Sequence, residues 1–146
     1  MPFRTHEQND NPQMKNKLPI GYYLKKADDL LTAGINKIHA ENDITRTQWQ
    51  VLNSIIQKDE ADRQQVIELL NDFAAKDTIN DVIDILINRG LVNENSFLYL
   101  TDRGKELFKK CFQEQKIFRQ KAMGNISEQE YMQIITTLEK IIDNLK

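Results

Sequence analysis

The 146-residue chain carries few of the side-chain groupings that do chemistry on a substrate. There is no Gly-rich phosphate loop, no nucleophile elbow, no carboxylate pair on a recognisable scaffold and no His-containing metal motif. His6 and His39 lack a Cys, His or carboxylate at ligand spacing. Cys111 is the only cysteine. Its neighbours Phe108 and Phe112 place it on an apolar helix face, which favours a small buried core residue over a redox-sensing thiol. The expectation is a non-enzyme without metal or cofactor. What remains is recognition chemistry, carried by the donors and acceptors Arg63, Gln64, Gln65, Lys76, Thr78, Asn80, Asp81, Asn95, Arg103 and Lys105. Arg and Lys donate to anions, Asn and Gln amides both donate and accept, and Asp only accepts.

The elements that must position these groups follow from periodicity. Residues 1–18, rich in Asn, Gln and charge with nothing periodic to bury, read as a flexible arm. Residues 19–146 read as one domain. Ile20, Leu24, Ala27, Leu31, Ile35 and Ile38 recur at three and four, the pattern of an amphipathic helix that Gly34 weakens slightly. His39 lies near its end, where a cation is favourable. Thr45-Arg46-Thr47-Gln48 is a capping box that opens a second helix with Trp49, Leu52, Ile55 and Ile56 inward. The next segment buries Val66, Ile67, Leu69, Leu70 and Phe73. Asp77 or Thr78 caps the helix that follows, whose apolar face is Ile79, Val82, Ile83, Leu86 and Ile87, and Gly90 ends it. Leu91-Val92 and Phe97 to Leu100 form two short strands joined through Asn93-Glu94-Asn95-Ser96. Thr101 caps a long helix with Leu107, Phe108, Cys111, Phe112 and Phe118 on its apolar side. Gly124 breaks it, and Ser127-Glu128-Gln129-Glu130 is a second capping box before a final helix.

The formal net charge of −2 hides an asymmetry. From Ala61 to Thr101 seven acids face three bases, a balance of −4; from Asp102 to Gly124 three acids face seven bases, a balance of +4. The absence of a long apolar run or an apolar leader points to a cytoplasmic protein without a membrane partner.

Helix, turn, helix and hairpin in this order are the layout of a winged DNA reader. In it Arg63, Gln64, Gln65 and Lys76 anchor the phosphate backbone near helix starts, with Arg103 and Lys105 at the base of the wing and Asn95 at its tip. Asn80 can read adenine, Thr78 can touch bases or phosphates, and a carboxylate such as Asp81 can accept from a cytosine amino group. The same carboxylates read equally as a solvated face, with Asp77 as a cap. The first and last helices are apolar at nearly every third or fourth position although the middle has its own core, so they are expected to pair with a second copy of the chain. Tyr22, Tyr23, Trp49 and Phe112, with Phe118, are candidates for an aromatic ligand pocket between the parts, although aromatics at helical spacing are commonly core.

With its elements placed, the sequence resembles the multiple antibiotic resistance regulator (MarR) family of bacterial transcription factors. Ile44-Thr45-Arg46-Thr47-Gln48-Trp49-Gln50-Val51-Leu52 is similar to the family's Leu-Thr-x-x-Gln-Trp-x-Val-Leu pattern. Arg89-Gly90-Leu91-Val92 is similar to its Arg-Gly-Leu-Val, and Leu100-Thr101-Asp102-Arg103-Gly104-Lys105-Glu106-Leu107 to its Leu-Thr-x-x-Gly-x-x-Leu. The resemblance implies a mainly α, winged helix-turn-helix fold. Residues 19–43 and 106–146 would supply dimerisation helices, and 44–105 the winged lobe with one short β-hairpin. It further implies a homodimer on a pseudo-palindromic operator, a repressor released by a small-molecule effector bound between the lobes. The chain departs from the family pattern in two ways: Asp77 and Asp81 stand where a Ser or Thr and an Arg are common, and the hairpin is shorter than the family's, with no arginine at its tip. Binding weaker and more salt-sensitive than that of a basic homologue is therefore expected. The alternative is a winged-helix dimer that has lost strong DNA binding and serves as a protein-interaction or small-molecule-binding module.

Overall fold

The computed structural model describes residues 15–146; most of the expected arm, including His6, lies outside the described residues. Six helices and one hairpin follow in the order α1 (Ile20–Glu41), α2 (Arg46–Gln57), α3 (Arg63–Leu69), α4 (Lys76–Asn88), β1 (Val92–Glu94), β2 (Leu98–Leu100), α5 (Asp102–Ala122) and α6 (Glu128–Leu145). This is the mainly α, winged-helix arrangement expected.

Local chemistry sets most helix ends. Thr45 Oγ1 accepts from the Gln48 amide and Gln48 Oε1 accepts from the Thr45 amide, both at 3.1 Å, so two orphan donors of α2 are satisfied. Ser127 and Glu130 do the same for α6. A third box, Asp62 with Gln65, opens α3. Neither Asp77 nor Thr78 caps α4. The N-cap is Ala75, whose carbonyl accepts from the Ile79 amide at 3.1 Å, and Asp77 sits inside the first turn, where the positive helix end still favours it. At the other end Gly90 adopts φ +74°. Its amide donates to the Ile87 carbonyl at 2.9 Å and that of Leu91 to Leu86 at 3.0 Å, the double bond pattern that needs a left-handed residue at this point.

β1 and β2 pair antiparallel with Val92 opposite Leu100 and Glu94 opposite Leu98. The first strand thus runs two residues further than expected, and Phe97 belongs to the turn, where its amide donates to Asn95 Oδ1 at 3.0 Å. Val92, Leu98 and Leu100 are buried while Asn93, Glu94 and Tyr99 are exposed; β2 alternates as a half-buried strand does, whereas Glu94, on the face of Val92 and Leu98, is exposed at the end of β1. Leu98 also donates to the Ala61 carbonyl at 2.7 Å, which ties the hairpin to the start of α3.

One core joins α2, α3, α4, the hairpin and Cys111 of α5. Val51, Leu52, Val66, Ile79, Ile83, Leu86 and Val92 are fully buried. Ile56, Leu69, Phe73 and Phe112, expected inside, are exposed. Leu69 lies off the face shared by Val66, Ile67 and Leu70, and Phe73 lies in the turn between α3 and α4. In α5 it is the line of Cys111 and Gln115, four apart, that is buried, Cys111 in the core of the lobe and Gln115 against His39 of α1, so Phe112 is turned away. The α1 helix packs on α5 at Gly34, where any Cβ would overlap the Phe118 ring. α6 buries none of its residues.

Candidate nucleic-acid interface

Ile79, Val82, Ile83 and Leu86 turn inward from α4, which fixes what faces out. Asp77, Asp81, Asp84 and Asn88, spaced four, three and four, form the outermost stripe and are all exposed. Thr78 and Asn80, two residues apart, flank this stripe on opposite sides, so the two expected readers do not share a face. Thr78 is exposed and Asn80 half-buried. Lys76, at the first position of α4, is exposed.

The structure gathers Asn80 with Arg63 instead. The Arg63 guanidinium donates from Nε to Glu94 Oε2 at 2.8 Å, from Nη2 to Asp84 Oδ1 at 2.6 Å and from Nη1 to Asn80 Oδ1 at 3.3 Å. One side chain from α3 therefore holds α4 and β1 together. The Glu94 hydrogen bond raises the Arg63 pKa above its ordinary value, so the group is permanently charged. Gln65 is occupied in the α3 capping box and Gln64 donates to Glu68 at 3.2 Å. The Asn95 side chain closes the hairpin turn. Arg103 and Lys105, on the first turn of α5, are exposed; Lys105 lines a recess of about 550 Å³ with Ile56, Asn95, Phe97 and Tyr99.

A second cluster lies where α1, α2 and α5 meet. Trp49 stacks on Phe108 with ring centroids 4.5 Å apart, and Phe112 lies 6.0 Å beyond Phe108. Tyr22 and Tyr23 touch each other near the start of α1, whereas Trp49 approaches His39 at 5.9 Å near its end. At 1.5 Å per residue this separates the tyrosines from the tryptophan by about 25 Å along the helix, so the four candidate pocket aromatics form two groups. His39 is not a cation at a helix end. It is buried, and desolvation, then the charge of Arg46, lowers its pKa. Its Nε2 lies 3.0 Å from Gln115 Nε2, and Gln115 Oε1 accepts from Arg119 at 3.4 Å. Asn42 Nδ2 donates to the Ile38 carbonyl at 2.8 Å and to Glu114 Oε1 at 2.9 Å. Beside this cluster, Leu31, Thr32, Ile35, Asn36, Arg46 and Arg119 line a recess of about 250 Å³. Arg89, just past α4, donates to Gln48 Oε1 at 3.1 Å and so ties the end of α4 to the start of α2. Burial pushes the Cys111 thiol up to about 11, which leaves it protonated and unreactive at neutral pH.

The Arg63 hub and the His39–Gln115 contact escaped sequence reasoning because their partners are distant in the chain. The Asp62-x-x-Gln65 box was visible, since it has the spacing of the two boxes that were read.

Among the described residues no group of three or more His, Cys, Asp or Glu could hold a metal ion, and no helix is long and apolar enough to cross a membrane. No protein-family profile matches the sequence and no curated protein matches it. Solved structures do. A Listeria innocua protein of unknown function is 19% identical with a TM-score of 0.71, over 87% of this chain and 93% of that one. A Mycobacterium tuberculosis MarR family protein in complex with DNA is 18% identical with a TM-score of 0.68, over 86% and 98%. The reduced form of MarR from Escherichia coli is 19% identical with a TM-score of 0.65, over 86% and 95%. A helix-turn-helix and hairpin wing carried between long flanking helices define the class as winged-helix. The particular fold is that of the MarR regulators.

Proposed function

We propose that the protein is a homodimeric, cytoplasmic DNA-binding regulator of the MarR type that represses from a pseudo-palindromic operator and lets go when a small ligand binds. The observation that carries this reading is the exposed outer face of α4, set beside a hairpin wing in a fold shared with DNA-bound relatives. In this reading α4 enters the major groove, Asn80 reaches a base edge from one side of the outer stripe, Thr78 meets a base or a phosphate from the other, and Lys76, Arg103 and Lys105 meet phosphates. Pairing of two chains is supported by the apolar side chains left outside on the flanking helices, among them Leu24, Leu30, Ile117, Tyr131, Ile134 and Ile142. The recess holding Arg46 and Arg119, neither of which is in an ion pair among the described residues, suits an anionic effector at the junction of α1, α2 and α5.

A second reading, a winged-helix dimer serving as a protein-interaction or ligand-binding module, is favoured by the carboxylate stripe of Asp77, Asp81 and Asp84. Each phosphate contact contributes through counterion release, and an acidic stripe opposes that field. Fluorescence anisotropy against the upstream DNA of its own gene and a scrambled control, titrated from low to physiological salt, separates the two. Selective binding that survives salt is expected of the regulator. Binding that cannot tell the two DNAs apart at any salt gives the module reading.

A further inference from the structure

We propose that Arg63 is a positioning residue for base reading: its guanidinium pins the wing to α4 and fixes Asn80 so that the amide presents N–H donors outward. The inference rests on the DNA-binding reading and assigns it a chemical preference. Arginine has only donors, so the Asn80 atom facing Arg63 Nη1 at 3.3 Å must be the carbonyl oxygen. The Asn80 Nδ2 then points away from Arg63. All three guanidinium nitrogens are engaged, with the Nη2–Asp84 and Nε–Glu94 bonds at 2.6 and 2.8 Å in the charge-assisted range. The side chain is 28% exposed. A phosphate would have to draw Arg63 off two carboxylates, leaving Asp84 and Glu94 bare against each other and against the phosphate itself. Arg63 is therefore part of the reading head rather than a backbone anchor.

The consequence is a preference at one base pair per half-site. An amide free to flip offers either its oxygen or its nitrogen, whereas a fixed amide leads with donors. The acceptors it can meet in the major groove are purine N7, guanine O6 and thymine O4; the cytosine amino group is a donor and is disfavoured.

Competition anisotropy with the full-length protein on a set of operator variants, at several salt concentrations, tests this. Arg63→Gln is expected to flatten discrimination at one base pair by about tenfold, the scale of one mismatched pair, with the salt slope unchanged. Arg63→Lys keeps the charge but not the three-way fork, and is expected to behave like Arg63→Gln. Asn80→Asp leaves the acceptor for Arg63 and removes the donors, so the same base pair should shift toward cytosine even if the Arg63 variants fold poorly. Uniform weakening on every sequence with a salt slope lower by about one is the signature of a phosphate contact and overturns the proposal. So does an unchanged base preference in Asn80→Asp. A wild-type protein without sequence preference overturns the DNA-binding reading and this role together, whereas a selective wild type with unaltered variants overturns only the role.

Discussion

Helices α4 and α6 carry the same kind of apolar stripe and meet different fates. In α4, Ile79 and Ile83 are fully buried against α2, α3 and the hairpin. In α6, Ile134 and Ile142 are each 54% exposed and Leu145 is 82% exposed. Periodicity of three and four states which residues prefer to leave water, not which surface receives them. For α4 that surface comes from the same chain. For α6 the recess it shares with α1, about 870 Å³ and lined by Leu31, Met123, Ile126 and Ile134, is open on one side. The lobe is thus a finished core, whereas the flanking helices leave apolar side chains outside.

Paired substitutions put this contrast at risk. Ile83→Ala removes a fully buried side chain from the lobe and should cost about 2–5 kcal/mol in urea unfolding, at any protein concentration. Ile134→Ala should leave the folded single chain nearly unaffected and instead weaken self-association, seen as a smaller weight-average mass in sedimentation. If Ile134→Ala lowers stability as much as Ile83→Ala and does so independently of concentration, α6 packs on its own lobe and the two regions do not differ as described. Gly34→Ala probes the seam between them. A methyl there meets the Phe118 ring, so α1 must move off α5 or the ring must leave its place, at a cost of about 1–3 kcal/mol. Adding Phe118→Leu should recover part of that loss; no recovery would place the strain elsewhere.

How much could be read from the sequence follows the range of the interactions. Thr45 and Ser127 announced their helices because a capping box is closed within four residues. Gly90 announced the end of α4 for the same reason. Phe73 was misplaced because the helical pattern was carried one turn beyond Leu69, where α3 stops. His39 was read as a cation because its position in α1 was visible and its burial against Gln115, 76 residues away, was not. The polar surface of α4 was legible residue by residue. That Asn80 is tied to Arg63, and Arg63 to Glu94 on the wing, depends on tertiary packing that no local pattern encodes.

The smallest expected effect concerns that same histidine, and its sign follows from the hydrogen bonds around it. Arg119 can only donate, so Gln115 Oε1 faces Arg119 and Gln115 Nε2 faces the ring. His39 Nε2 must then accept, which makes the ring neutral with its proton on Nδ1. Protonation would set two donors against each other, in a site where desolvation, then the charge of Arg46, already lowers the His39 pKa from 6.5. With the folded pKa below the unfolded one, the unfolded chain binds more protons as pH falls. Stability is therefore complete above 6.5 and declines as pH drops from 6.5 toward the lower folded value. Urea unfolding of the wild type at pH 7.5 and at about pH 5.5 should show this decline, and His39→Gln should lose the part of it that His39 contributes. An equal pH dependence in both proteins would mean that the junction of α1, α2 and α5 tolerates a charged ring, and that this seam is looser than the lobe it borders.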